Sequence, residues 1–201
     1  AIDAFLSPSR FAADSHLQRG FHRSFLQLPI YSSLPDDPLE SPHKIAGSRP
    51  YFLFVGRLEK IKGLQEVIPV FRRFKNADLI VAGKGNYEAT LKRLAQDLNN
   101  VHFLGWQAPE ALATLYRRAV ALIVPSLCYK IFAMVLSEAF SCRTPAIVHS
   151  LESLYEIIED CDGCLAYRNR GEELIAAMER LVTDPGHRDR LGACPRISGN
   201  A

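Results

Sequence analysis

From residue 51 onward, short apolar runs alternate with stretches of helical periodicity, and this alternation limits the fold more than any other feature of the chain. Runs of strand length stand at 51–55 (YFLFV), 78–82 (DLIVA), 101–104 (VHFL), 120–124 (VALIV), 145–148 (PAIV) and 163–166 (GCLA). Apolar runs that do not alternate with polar residues predict strands buried on both faces, as in a parallel sheet covered by helices. Between them, Leu64, Val67, Ile68, Phe71 and Phe74 fall on one helical face, as do Leu91, Leu94, Ala95 and Leu98. Leu112, Leu115 and Ala119 follow the same rule, and so do Leu174, Ile175, Met178, Leu181 and Val182. Pro69 falls inside the first of these helices and is expected to kink it. The expected fold is α/β: a doubly wound, mostly parallel, six-stranded Rossmann-like sheet over 51–192, with helices on both faces.

The flanks read differently. In residues 1–35, Asp3 to Ser7 is strand-like, Ser9 is placed to cap a helix running to about Leu17, Gly20 to end it, and Phe25 to Ile30 is extended. The stretch to Pro50 holds Pro35, Pro38, Pro42 and several Ser, Asp and Gly residues, so 36–50 reads as a linker. Residues 193–201 read as a frayed tail.

Composition excludes several functions. The net charge of +2 comes from scattered Lys and Arg, which argues against nucleic acid as a partner. No segment approaches the roughly 20 apolar residues of a membrane helix, and the opening AIDAFLSPSRF lacks the basic start and apolar core of a signal peptide. A cytoplasmic protein is expected. The five cysteines (Cys128, Cys142, Cys161, Cys164 and Cys194) are an odd number, and the Cys161/Cys164 CxxC lacks a second pair at zinc-ligand spacing. Reduced thiols and no metal are the expectation. The six histidines are dispersed; His149 follows a strand and either faces the cleft or takes a packing role.

Ligands of such sheets bind at the carboxyl ends of the strands, near the switch in strand order. The first loop there is Gly56-Arg57-Leu58-Glu59-Lys60-Ile61-Lys62-Gly63. A guanidinium fork, an ammonium and a helix N-terminus together suit a diphosphate, although two solvated cations would read the same way. Gly83-Lys84-Gly85 follows the second strand and permits either close ligand approach or a tight turn. Gly105-Trp106 follows the third, where the indole either lines a base pocket or covers the sheet edge. Pro125 to Phe140 then runs from strand to loop to a helix starting near Ala133, and puts Glu138 among Val135, Leu136, Ala139 and Phe140. A carboxylate there needs partners: ribose hydroxyls or a salt bridge.

GRLEKIKGL, VAGKG, FLGW and PSLCYKIFAMVLSEAFSCRTPAIV, in this order and spacing, resemble the C-terminal domain of the family-4 (group 1) retaining glycosyltransferases, which have the two-domain GT-B fold. The likeness runs from about residue 3 to 192, and IDAFLSPSRF resembles the end of that family's N-terminal domain, so 1–35 is expected to be a remnant of it. The resemblance implies a nucleotide-diphosphate-sugar donor, with Arg57 and Lys62 on its diphosphate and Glu138 on its ribose. It implies backbone contacts to phosphate and sugar from Phe132, Ala133, Met134 and Val135, with Gly56, Gly83, Gly85 and Gly105 flanking the donor. A sugar, lipid or glycan acceptor would be held by the N-terminal domain, with peripheral membrane contact through that half, and no cofactor or metal is implied.

Four positions depart from the family pattern. Lys130 replaces the first of the paired glutamates and reverses its charge, which leaves no catalytic residue assigned. Ala133, Arg143 and Glu152 stand where the family has glycine, and such residues are expected to repel an anionic donor or narrow the cleft. A side chain at Arg143 in a left-handed conformation costs about 1 kcal/mol or more. The leading expectation is an NDP-sugar-binding domain that does not turn over by itself. A degenerate, non-catalytic module is the alternative. Another GT-B enzyme, a sugar-nucleotide epimerase or phosphorylase, is a third; no pyridoxal-phosphate lysine motif supports the phosphorylase.

Overall fold

The computed structural model describes residues 2–7, 9–28, 34–35, 49–127, 134–150, 163–168 and 171–193. The first unit is small. Strand β1 (Phe5–Ser7) and strand β2 (Phe25–Gln27) pair in parallel, joined through helix α1 (Arg10–Gln18). Ser9 caps α1 by accepting from the Ala12 amide at 3.2 Å. Phe5, Phe21 and Phe25 stack between the strands and α1, while Leu6, Leu26 and Leu28 are exposed.

The main unit is a six-stranded parallel sheet of β3 (Tyr51–Val55), β4 (Asp78–Ala82), β5 (Val101–Gly105), β6 (Ala121–Val124), β7 (Ala146–His149) and β8 (Cys164–Tyr167), in the order β5-β4-β3-β6-β7-β8. Every neighbouring pair is parallel. All six expected strands are present. The order reverses between β3 and β6, so the crevice for a ligand opens beyond Val55 and Val124.

Side-chain alternation builds two cores. Phe52, Phe54, Leu79, Val81, Ala121, Ile123 and Ile147 face one layer, formed by α2 (Leu64–Val67), α3 (Glu88–Leu94) and α6 (Glu172–Thr183). Tyr51, Leu53, Ile80, Ala82, Leu122, Val124, Ala146 and Val148 face the other, formed by α4 (Pro109–Arg118) and α5 (Met134–Ser141). Pro69 ends regular α-helix early, and α2 continues as a 3-10 turn over Ile68–Arg72 while its apolar face stays buried. The sequence reading had no helix for α7 (Pro185–Gly192), which Asp184 caps by accepting from the His187 amide at 2.8 Å.

At the amino ends of the strands, Asp78 binds Arg49 at 3.2 Å and His102 at 3.3 Å, fixing the chain's entry into β3. Arg117 donates to the Pro35 carbonyl at 2.6 Å. Of the expected linker only Arg49 and Pro50 are described, and residues 194–201 lie outside the described residues.

Candidate functional site

Three loops at the carboxyl rim lock together through their backbones. The Leu58 amide donates to the Lys84 carbonyl at 2.9 Å, and the Gly83 amide to the Gly105 carbonyl at 2.7 Å. A Cβ on Gly83 would lie 1.9 Å from the Gly56 oxygen, and one on Gly85 would lie 2.2 Å from the Leu58 oxygen. Loop against loop thus requires glycine at both positions, a reason that neither close ligand approach nor a tight turn had named. Gly63, to which the sequence reading gave no role, has φ 78°, and its Cβ would stand 1.9 Å from the Pro125 oxygen. It joins the first loop to the one after β6, which the Leu127 amide reinforces by donating to the Ile61 carbonyl at 2.9 Å.

Between these loops lies a small cleft at the switch in strand order. Gly56 and Lys62 line one side, Pro125 and Ser126 another, and Val135 of α5 a third. The structure thus brings together Gly56, Lys62 and Val135 from the expected set. Met134 begins α5 and is half exposed. Phe132, Ala133 and Lys130, together with Glu152, lie outside the described residues, as do Cys128, Cys161 and Cys194.

Arg57 and Glu138 each have a partner within the protein. The Arg57 guanidinium, 74% exposed, pairs with Glu59 at 2.9 Å. Glu138 follows Val135 by three residues on α5, and its Oε2 accepts from the Tyr116 hydroxyl at 2.9 Å. A tyrosine was not among the partners foreseen for this carboxylate. Burial first, then the Glu138 charge and hydrogen bond, push the Tyr116 hydroxyl far above the usual tyrosine range, so it stays a donor. Periodicity could have flagged Tyr116, because it lies four residues after Leu112 on α4.

Trp106 follows edge strand β5 and is 68% exposed. His149 ends β7 and is buried; its Nδ1 donates to the Ser126 carbonyl at 3.2 Å and its ring stacks on Tyr167. Ser126 lines the cleft, so the buried His149 holds a cleft-lining segment, which is a packing role. Arg143 has φ 56°, the sole positive φ outside glycine among the described residues, as its position implied. It precedes β7, however, and so sits at the amino end of the sheet, opposite the cleft. The expectation that Arg143 narrows the cleft or repels an anion there is therefore corrected: three residues before a parallel strand is the wrong rim. Among the described residues no cluster of three metal-ligating side chains occurs, and no helix is long and apolar enough to cross a membrane.

Residues 36–194 match the family model described as glycosyl transferases group 1. An uncharacterized glycosyltransferase of Methanocaldococcus jannaschii is 33% identical over 146 residues, covering 69% of this chain and 37% of that protein. Among solved structures, the sucrose-phosphate synthase of Thermosynechococcus elongatus superposes with a TM-score of 0.80 at 23% identity, over 96% of this chain and 52% of that one. HepE of Anabaena, in complex with UDP-glucose, gives a TM-score of 0.79 at 17% identity, over 94% of this chain and 57% of that one. The chain spans about two-fifths of the length of the curated relatives it matches. With its parallel sheet reversing at β3 and β6 and the family match covering that whole sheet, the chain belongs to the group 1 glycosyl transferases and has their GT-B type of Rossmann-like domain.

Proposed function

We propose that this chain binds the donor of a hexosyl transfer that retains anomeric configuration, the donor being a nucleotide-diphosphate sugar. The observation that carries the reading is the cleft at the switch between β3 and β6, where Gly56, Lys62, Ser126 and the first turn of α5 converge. In this reading Lys62 and Arg57 bind the diphosphate, and Glu138 binds the ribose. As the glycosidic bond to the diphosphate breaks, two cations and oriented amides stabilise the charge on the leaving group, so no metal is needed. Gly83, Gly85 and Gly105 shape the rim by holding the loops close. HepE was solved with UDP-glucose, which supports this donor class.

The acceptor, whether sugar, lipid or glycan, is assigned to the N-terminal domain of the GT-B fold, of which β1, α1 and β2 would be the last part. The 201-residue chain is expected to bind donor without turning it over. Titration calorimetry with UDP-, GDP- and ADP-sugars tests the reading. Binding of one of them, weakened by Arg57→Ala or Glu138→Ala, supports it. Heat from none of them would leave the second reading, a non-catalytic module, which Lys130, Ala133 and Glu152 favour through the charge and bulk they add to the family pattern.

A further inference from the structure

We propose that Tyr116 is a positioning residue, which aims the Glu138 carboxylate at the ribose hydroxyls of a nucleoside diphosphate; this rests on the donor-binding reading above. Tyr116 is fully buried near the end of α4, and its hydroxyl donates to Glu138 Oε2 at 2.9 Å. Its backbone is fixed as well. The Thr144 hydroxyl donates to the Tyr116 carbonyl at 2.7 Å, and the Thr144 amide donates to the Ala139 carbonyl at 2.8 Å. The end of α4, the end of α5 and the turn into β7 are thereby tied at one point, and the ring itself is fully buried.

Side chains on a helix lean toward its N-terminus. α4 starts at the carboxyl rim, and the Tyr116 hydroxyl meets Glu138 three residues along α5 from the cleft-lining Val135. Burial and the Glu138 charge keep this hydroxyl protonated, so it acts only as a donor to the carboxylate. An ionised carboxylate has about four acceptor sites, so a bond from Tyr116 leaves it capacity for the two hydroxyls of a ribose. A half-buried glutamate has three side-chain torsions to fix before it can accept from a diol. The tyrosine fixes them before the nucleotide arrives, which is pre-organisation.

The test compares ribose with deoxyribose. The full chain is titrated with UDP, GDP and ADP, and then with the 2′-deoxy and 3′-deoxy forms of whichever binds. The wild type is expected to prefer the ribonucleotide. Tyr116→Phe is expected to lower that preference about three- to tenfold while leaving the affinity for the deoxy forms within twofold. If Tyr116→Phe weakens all forms equally, or keeps the preference, the positioning role is overturned while the donor reading stands. If the wild type binds no nucleotide, the donor reading itself falls and takes this inference with it. Should Tyr116→Phe fail to fold, Glu138→Asp decides alone. It keeps the charge but withdraws the carboxylate from the tyrosine, and a ribose preference unchanged in it overturns the proposal.

Discussion

Replacing Arg57 by alanine should weaken donor binding by less than a typical arginine–phosphate contact, and the structure says by how much. A charge-assisted hydrogen bond to a phosphate oxygen contributes about 1.5–3 kcal/mol. In the free chain Arg57 already pairs with Glu59 at 2.9 Å, on a side chain 74% exposed. An exposed pair of this kind is worth about 0.2–1 kcal/mol, and that much must be given up before the guanidinium turns to a phosphate. The difference is about 0.5–2.8 kcal/mol, a loss of about 2- to 100-fold in affinity. The same arithmetic gives Glu59→Gln the opposite sign. It removes the competitor for Arg57 and should tighten binding by up to about fivefold. The gain should vanish in the Arg57→Ala background, because the two side chains are coupled. Calorimetric titration of the four proteins with the tightest-binding NDP-sugar closes the cycle. If Arg57→Ala stays within twofold of a wild type that binds, or if Glu59→Gln tightens binding just as well without Arg57, the diphosphate role of Arg57 is wrong.

Other consequences concern stability. Burial raises the hydroxyl pKa of both Tyr51 and Tyr116, so the unfolded chain releases these protons near pH ~10 while the folded chain keeps them. Their stabilisation is complete below that pH and declines above it, by about 1.4 kcal/mol per pH unit for each tyrosine. Urea melts between about pH 9 and 11 should show a shallower slope in Tyr51→Phe, by about half that amount averaged over the window, and an unaltered slope would refute the assignment. Arg143→Gly relieves a left-handed side chain and should stabilise the fold by about 1 kcal/mol; a lower melting temperature would contradict this. Gly63→Ala places a Cβ 1.9 Å from the Pro125 oxygen at φ 78° and should cost about 2–5 kcal/mol. A loss below about 1 kcal/mol in chemical denaturation would mean the loops are not locked there.

The sheet was readable because its strands are buried on both faces. Each apolar run from YFLFV to GCLA corresponds to a strand whose ends fall within one residue of it. Helix faces were readable too, since Leu64 to Phe74 and Leu174 to Leu181 keep helical spacing. α7 was not, because a short polar helix has no apolar stripe, and only Asp184-Pro185 marks its start. The pairing of Tyr116 with Glu138 was hidden for another reason. The two are 22 residues apart, and only the adjacency of α4 and α5 brings them together. The glycines were ambiguous in principle: a position that must admit a ligand and one that must admit a neighbouring loop both demand the same missing Cβ.

That ambiguity bears on the departures from the family pattern, because position along a parallel strand decides what a substitution can affect. A residue just after a strand meets the ligand rim, and a residue just before one meets the opposite end. Arg143 precedes Ala146, and its carbonyl packs where a Cβ on Gly192 would lie 2.3 Å away. Its strain therefore falls on the seam between the α5–β7 turn and α7. Gly56 and Lys62 lie one and seven residues beyond Val55, the end of β3, and both line the cleft. The strain at Arg143 and the cleft thus lie at different ends of the same sheet. An arginine at 143 carries a cost in stability and lies away from the cleft, so it does not favour the non-catalytic reading over the proposed one.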